Sequence, residues 1–406
     1  MTGRPTILHV TQCTDGGVAA YVTAAAADQV ARGWTVAVAS PEGDRLPADL
    51  AARGVRWLRW PARRSPRSTS AEAVLLSRVI RSARPHVVHL HSAKAGLAGR
   101  LAVRGRLPTL FQPHGWSWLA VRGLVAAASL RWERVAARWT DLIVCVGAGE
   151  AAHGRARGVR GRYAVIRNGV DLDRFRPATD GERLAARARV GIDPGVPLAV
   201  CVGRVTPQKG QDVLVAAWPL VRQRCPGARL CLVGDGDLVP RIRARCPTGV
   251  RLCGAVQDVR PWYAAADLVV LPSRWEGLPL TLVEALACGR PVVAAAVPGL
   301  AEVVPADAGA LVPPEDPVAL AAAIAQRLGD GDRLRAESRA AARCATGFSA
   351  RRTFDELAAV TDLAARGRIP ARTRRGWAPG RVHDAAGRDA AGHLADPGAG
   401  VRSGPW

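Results

Sequence analysis

The chain has 406 residues, a formal net charge of +23 and 49% hydrophobic residues. That length holds two domains of roughly 150 to 200 residues each, and no apolar run approaches the ~18 residues a membrane-spanning helix needs. The nine cysteines are scattered and none forms Cys-x-x-Cys, which argues against a metal site or disulfide framework and for buried, reduced thiols in a cytoplasmic protein.

The charge points to an anionic partner: a membrane surface, nucleic acid or a phosphorylated small molecule. Arginine, alanine and glycine are abundant, while lysine occurs only at Lys94 and Lys209. Part of the charge is therefore compositional background, and the two lysines stand out against it.

"MTGRPTILHVTQ" reads as a first strand and lacks the charged start and longer apolar core of a signal peptide. It leads through "CTDGGVAAYV" into a helix over about 18–32. Gly16 and Gly17 make the junction a loop that a ligand can approach closely, ahead of a helix N-terminus. The missing Gly-x-Gly-x-x-Gly argues against a dinucleotide site. Further strands are expected at "TVAVAS", "VRWLRW", "HVVHLH", "TLFQPH", "DLIVCVG" and "YAVIRN", with helices near 71–83, 94–104 and 124–139. Repeated βα units predict a parallel sheet covered on both faces.

"HLHSAKAGLAGR" sets His91, Ser92 and Lys94 at a strand-to-helix turn, where acceptor binding and helix capping by Ser92 are both open. "TLFQPHGWSW" sets His114 at a strand end, as a structural residue or one facing a ligand. Residues 116–139 mix Trp116, Trp118, Trp132 and Trp139 with Arg122, Arg131, Arg134 and Arg138. Leu124, Ala128, Trp132, Val135 and Trp139 share one helical face, which suits a helix packed on its own sheet or a membrane-surface patch. "ARRSPRS" at 62–68 adds a second basic stretch.

"RNGVDLDRFRPATDG" interrupts the alternation, which then restarts with strands at "LAVCVGR", "ARLCLVG", "VRLCGAV", "DLVVLPS", "PVVAAA" and "GALVPP". The expected architecture is α/β: two doubly wound units, 1–170 and 171–366, with a last helix over 349–366. The tail 367–406 is rich in Gly, Arg, Pro and Ala without apolar period and is expected to be disordered. Ligands of such folds sit outside the carboxyl ends of the strands, so the cleft between the units is the expected site.

Two stretches of the second unit carry chemistry. In "SRWEGLPLTLVEALACG" a buried strand passes through Gly277-Leu278-Pro279 into a helix ended by Gly289. Pro279 fits the first helical position, so the amides of Leu280, Thr281 and Leu282 are free to face an anion. Glu276 lies at the cleft mouth and Glu284 one to two turns into the helix. Carboxylates accept hydrogen bonds in pairs, which suits vicinal diols, and a sugar nucleotide has a diol at each end and phosphate between. Against this stands a solvated Glu284, with Glu276 merely favouring the helix dipole. In "CVGRVTPQKGQDVLVAAW", Arg204 leaves a strand end and Lys209 precedes a helix, a pair of cations able to neutralise a diphosphate. The strings "DLD" at 171–173 and "DGD" at 235–237 lie in Gly-rich turns without a supporting ligand cluster, so turn formation explains them.

"EGLPLTLVE" resembles the E-x7-E motif of the retaining family 4 glycosyltransferases, which have the GT-B fold. "GRVTPQKG", "VIRNGVDLDRFRP", "LVGDGDL" and "VRPWYAAADLVVLPSRWEG" are similar to the same family, over roughly residues 5 to 365. The resemblance implies transfer from a nucleotide-sugar donor with retention at the anomeric carbon and no metal or other cofactor. It implies that Arg204 and Lys209 carry the diphosphate, Glu276 the sugar and Glu284 the ribose. It places the base near Val256, the donor phosphates and acceptor at Gly16 and Gly17, and the donor sugar near His114. Gly277, Leu278, Leu280 and Thr281 complete the donor contacts.

"HSAKAGLAGRLA" followed by "PHGWSW" resembles bacterial exopolysaccharide and capsule enzymes of that family. The implied acceptor is a lipid-linked or other envelope glycan at the inner face of the plasma membrane, with an anionic membrane surface as a further partner. A sugar-nucleotide epimerase of the same architecture is the alternative enzyme. A basic nucleic-acid-binding protein is the non-enzymatic alternative, and it lacks the aromatic-interleaved basic motifs it would need. No nucleic-acid partner is expected.

Overall fold

The apolar runs become strands, and six of the thirteen described are buried along their whole length because helices cover both faces of their sheets. A computed structural model describes residues 4–43, 45–63 and 68–369. In the first lobe the strands are β1 (Thr6–Thr11), β2 (Thr35–Ser40), β3 (Arg56–Arg59), β4 (Val87–His91), β5 (Thr109–Gln112), β6 (Leu142–Cys145) and β7 (Tyr163–Val165). In the second they are β8 (Leu198–Val202), β9 (Arg229–Val233), β10 (Val250–Gly254), β11 (Leu268–Leu271), β12 (Val292–Ala295) and β13 (Gly309–Val312). The sheets run β3-β2-β1-β4-β5-β6-β7 and β10-β9-β8-β11-β12-β13. Their strand pairs are parallel.

Each sheet reverses its winding once, between β1 and β4 and between β8 and β11. At such switch points neighbouring loops diverge and open a crevice at the carboxyl ends of the strands. The loops after β1, β8 and β11 carry Gly16-Gly17, Arg204 to Lys209 and Glu276. The fold thus gathers residues that lie far apart in sequence.

The helix Ala350–Ala365, grouped by sequence position with the second unit, packs on the first sheet. Its Leu357, Val360 and Ala364 join Ile7, Val87, Leu110 and Tyr21 in one buried cluster. The chain crosses between lobes twice at one place, where Val170 bridges Ser349 and the Thr353 hydroxyl donates to the Arg167 carbonyl at 2.8 Å. The tail from 370 onward, and Arg64 and Arg67 of the basic stretch, lie outside the described residues. Four of the nine cysteines (Cys145, Cys201, Cys231 and Cys288) are buried, and the other five are half-buried.

Candidate active site

Gly16 has φ +69, a left-handed conformation that favours glycine. A side chain there would meet Arg204 Cδ at 3.8 Å, and one on Gly17 would meet Leu280 Cδ1 at 3.9 Å. The glycine loop of the first lobe therefore faces both the arginine after β8 and the start of the helix Leu280–Ala287.

The loops after β8 and β11 are locked to each other. Arg274 donates to both carboxylate oxygens of Asp212 at 2.9 Å, to Glu315 at 2.8 Å and to the Pro207 carbonyl at 2.7 Å. Gly210, at φ +67, lies so close to the Pro272 carbonyl that a side chain would sit 2.1 Å from its oxygen. These contacts bring Lys209 Nζ to 2.6 Å from Glu276 Oε1. Gln208 Nε2 donates to the Trp275 carbonyl at 3.2 Å and reaches Glu276 Oε2 at 3.4 Å. Arg274, Asp212 and Gln208 escape sequence reasoning because their partners are 41 to 68 residues away. The one signal was the position of Arg274 two residues before Glu276.

Two details of the helix start are corrected. Pro279 is the residue before the helix, with φ −72 and ψ 137, rather than its first helical residue. The Leu282 amide donates to the Pro279 carbonyl at 3.1 Å, so only Leu280 and Thr281 keep the expected role as unengaged amides of that group. Leu278 is buried, and its carbonyl accepts from Asn168 Nδ2 at 2.6 Å, tying the turn to the inter-lobe linker. Glu284 accepts from the Tyr263 hydroxyl at 2.9 Å, and burial pushes its carboxyl up to about 7 against that hydrogen bond. Val256 packs against the apolar cluster that holds Leu278 and Leu282.

On the opposite wall His114 adopts φ 52, unfavourable for a non-glycine residue. Such conformations persist where the surroundings impose them. Its ring Nε2 lies 3.1 Å from His91 Nδ1. The next amide, Gly115 N–H, donates to Glu150 Oε1 at 2.5 Å, and Val146 N–H donates to Oε2 at 2.8 Å. A side chain on Gly277 would meet Val146 Cγ2 at 2.8 Å and Glu150 Oε1 at 3.5 Å, so the His114 turn and the Glu276 turn abut. Glu150 went unnoticed in the sequence, where "AGEAAHG" looks like any helix start.

Other expectations change. Lys94 does not line the cleft: it is buried, 2.6 Å from Glu72 and 3.1 Å from the Thr69 hydroxyl. Trp116 and Trp118 are buried and stacked, with ring centroids 4.6 Å apart. The expected single apolar face over 124–139 packs only in its second half: Leu124 is 89% exposed and Ala128 is exposed, whereas Trp132, Val135 and Trp139 are half-buried. Asp171 Oδ1 accepts from the Asp173 and Arg174 amides, both at 3.1 Å, and Asp235 Oδ1 from the Gly236 amide at 2.7 Å. Both strings are turn formers. Among the described residues, His9, His89 and His91 form the one group with ligand atoms within 4.8 Å of one another, and it is buried beneath the cleft.

Two Rossmann-like lobes with glycines, cations and a helix start converging on the cleft between them define the GT-B architecture. Two family models match in tandem: Glycosyltransferase Family 4 over residues 15–174 and Glycosyl transferases group 1 over residues 196–330. D-inositol 3-phosphate glycosyltransferase 1 of Catenulispora acidiphila is 33% identical over 303 residues, 68% of this chain and 71% of the relative. The chain belongs to this glycosyltransferase family. The D-inositol 3-phosphate glycosyltransferase of Segniliparus rotundus is 42% identical over 219 residues, 50% of this chain and 47% of the relative. The chain thus spans about half the length of that relative and of several others. Sucrose-phosphate synthase of Thermosynechococcus elongatus superposes with a TM-score of 0.76 at 22% identity, over 90% of this chain and 100% of that one, a likeness of fold.

Proposed function

We propose that the chain is a retaining, metal-independent glycosyltransferase that moves a sugar from a nucleotide-sugar donor to a lipid-linked or envelope glycan acceptor at the cytoplasmic membrane face. The carrying observation is that Gly16-Gly17 meets Arg204 and Leu280 across the cleft, beside the Lys209–Glu276 pair. Breaking the bond between the anomeric carbon and the diphosphate builds positive charge on the sugar and negative charge on the leaving group. Arg204, Lys209 and the Leu280 and Thr281 amides stabilise that anion in place of a metal. An ammonium has three N–H groups; Lys209 spends one on Glu276 and keeps two for the diphosphate. Glu276 takes the sugar hydroxyls, Glu284 the ribose, His114 the sugar, and the backbone around Val256 the base.

The membrane part of the reading is supported by an apolar projection. Val121, Leu124 and Val125 are 37%, 89% and 62% exposed, next to exposed Arg122 and Arg131. Such a mixture suits an anionic lipid surface. A second reading follows the names of the relatives: a soluble phosphorylated inositol as acceptor.

The test is an assay of nucleoside diphosphate release from UDP-, GDP- and ADP-sugars, with either a membrane lipid extract or D-inositol 3-phosphate as acceptor. Release that depends on the extract, persists in EDTA and yields a product of unchanged anomeric configuration supports the first reading. Release with D-inositol 3-phosphate alone replaces it with the second. Conversion of donor without any acceptor would instead be epimerase behaviour.

A further inference from the structure

Strands β1 and β4 pair with His9 opposite His89 and Thr11 opposite His91. Side chains alternate along a strand, so Ile7, His9, Val87, His89 and His91 share one sheet face. Deep in the lobe that face is apolar, with Ile7, Val87 and Leu110 in one cluster with Tyr21. Toward the cleft it turns polar: His9, His89, His91 and Gln112 are each 0% exposed. Burying polar rings is costly unless hydrogen bonds compensate; neither ring nitrogen of His89 has a partner among the described residues, but His9 and His91 belong to a continuous chain of hydrogen bonds. Gln29 Oε1 lies 2.9 Å from His9 Nε2, His9 Nδ1 lies 2.9 Å from His91 Nε2, and His91 Nδ1 lies 3.1 Å from His114 Nε2.

The chain has a direction. A carboxamide oxygen only accepts, so His9 Nε2 carries its ring's proton. A neutral ring has one N–H, so His9 Nδ1 is bare and accepts from His91 Nε2–H. His91 Nδ1 is then bare in turn and accepts from His114 Nε2–H. The last ring is left with a lone pair on Nδ1, for which no hydrogen bond is found among the described residues. Burial holds these rings neutral, lowering His9 to about 4 and His114 to about 3. Tyr21 and His114 pack as a T-shaped pair, with ring centroids 5.2 Å apart and an interplanar angle of 71°.

We infer that Gln29, His9 and His91 form a buried relay that fixes His114 as the Nε2–H tautomer and presents its Nδ1 lone pair to the cleft. Gln29, His9 and His91 are then positioning residues, and His114 accepts a hydrogen bond from a donor-sugar hydroxyl. The sugar contact rests on the proposed glycosyltransfer; the relay does not. In the opposite tautomer His114 would present an N–H, and a hydroxyl oriented as donor would lose its partner. The His9–His91 contact also bears on metal binding. Those two nitrogens are spent on each other at 2.9 Å, so a cation among His9, His89 and His91 would have to break the relay.

The test uses full-length protein labelled with 15N-histidine and long-range 1H–15N spectra at pH 7, with His114 assigned by the loss of its signals in His114→Gln. Expected is a proton on His114 Nε2 and none on Nδ1. Gln29→Leu and His91→Phe, each checked by thermal melting, should give mixed tautomers at His114, and Gln29→Glu, which keeps an acceptor, should restore the single form. Turnover should fall roughly tenfold in Gln29→Leu, the worth of one hydrogen bond made in the transition state, and recover in Gln29→Glu, with free nucleotide affinity unchanged. A proton on His114 Nδ1 in the wild type, unchanged spectra in both Gln29→Leu and His91→Phe, or stoichiometric metal that His89→Ala removes would each overturn the relay. Altered spectra with unaltered turnover would overturn only the contact of His114 with the sugar.

Discussion

Lys209 and Glu276 are side by side, yet they are assigned to opposite ends of a bond that must break. In the proposed reaction that pairing is useful, because the same contact would fix the cation beside the diphosphate and the carboxylate beside the sugar. Replacing Arg204 or Lys209 with Ala should cost about 2–4 kcal/mol of transition-state stabilisation, as for a lost oxyanion donor, read as kcat/KM. The two glutamates should fail differently. Glu284→Gln should weaken free nucleoside diphosphate, whereas Glu276→Gln should spare it and lose sugar-dependent affinity and turnover. The pH dependence separates them further. The Glu284 carboxyl is raised to about 7 by burial, so it is mostly protonated at pH 6 and mostly ionised at pH 8. Only the ionised form accepts with both oxygens, so wild-type affinity should rise through that window relative to Glu284→Gln. Parallel curves would remove Glu284 from the ribose site. Rarity had marked Lys94 and Lys209 equally in the sequence, and only folding separated them: one is buried against Glu72 and one lines the cleft.

Among the secondary-structure elements, every expected strand is present, twelve within a residue or two and β7 three residues shorter than "YAVIRN", because buried parallel strands are continuous apolar runs between turn formers. The helix after β11 was also legible, from its Gly-Leu-Pro entry, though Pro279 falls one position early. Side-chain partnerships were not legible. The apolar stripe over 124–139 followed a helical period, but the helix Gly123–Ala136 packs through its second half only, with Glu133 buried against Arg100 at 2.7 Å. The histidine relay was equally hidden: "HVVHLH" showed the alternation, but pairing with His9 depends on strand register. Glu150 anchors the His114–Gly115 turn to the helix Ala148–Ala156. Glu150→Ala leaves two amides without their acceptor and should destabilise the fold by about 1–3 kcal/mol or more, measured by denaturant unfolding. A loss under 0.5 kcal/mol, the usual range of surface substitutions, would mean that the turn holds itself.

For the whole molecule, the two lobes touch at the cleft and at the crossing of linker and last helix. Glu302 of the second lobe accepts from the Ala148 and Gly149 amides of the first at 2.9 and 3.2 Å. The first lobe exposes Val121, Leu124 and Val125 together. If that patch meets lipid, changing all three to Ser should reduce flotation with anionic liposomes while leaving nucleotide affinity intact; equal flotation of variant and wild type would assign attachment to another surface. The +23 charge suggested such a surface but did not locate it, because arginine is spread over the whole chain.

The proposed function requires that the cleft bind a nucleoside diphosphate without a metal, through Arg204, Lys209 and the start of the helix Leu280–Ala287. Calorimetric titration of UDP, GDP and ADP into the full-length protein, with and without EDTA, tests it most directly. Saturable binding of at least one nucleotide is expected, unchanged by EDTA and weakened at least tenfold in Arg204→Ala. Binding that disappears with EDTA, or that Arg204→Ala leaves untouched, would contradict it.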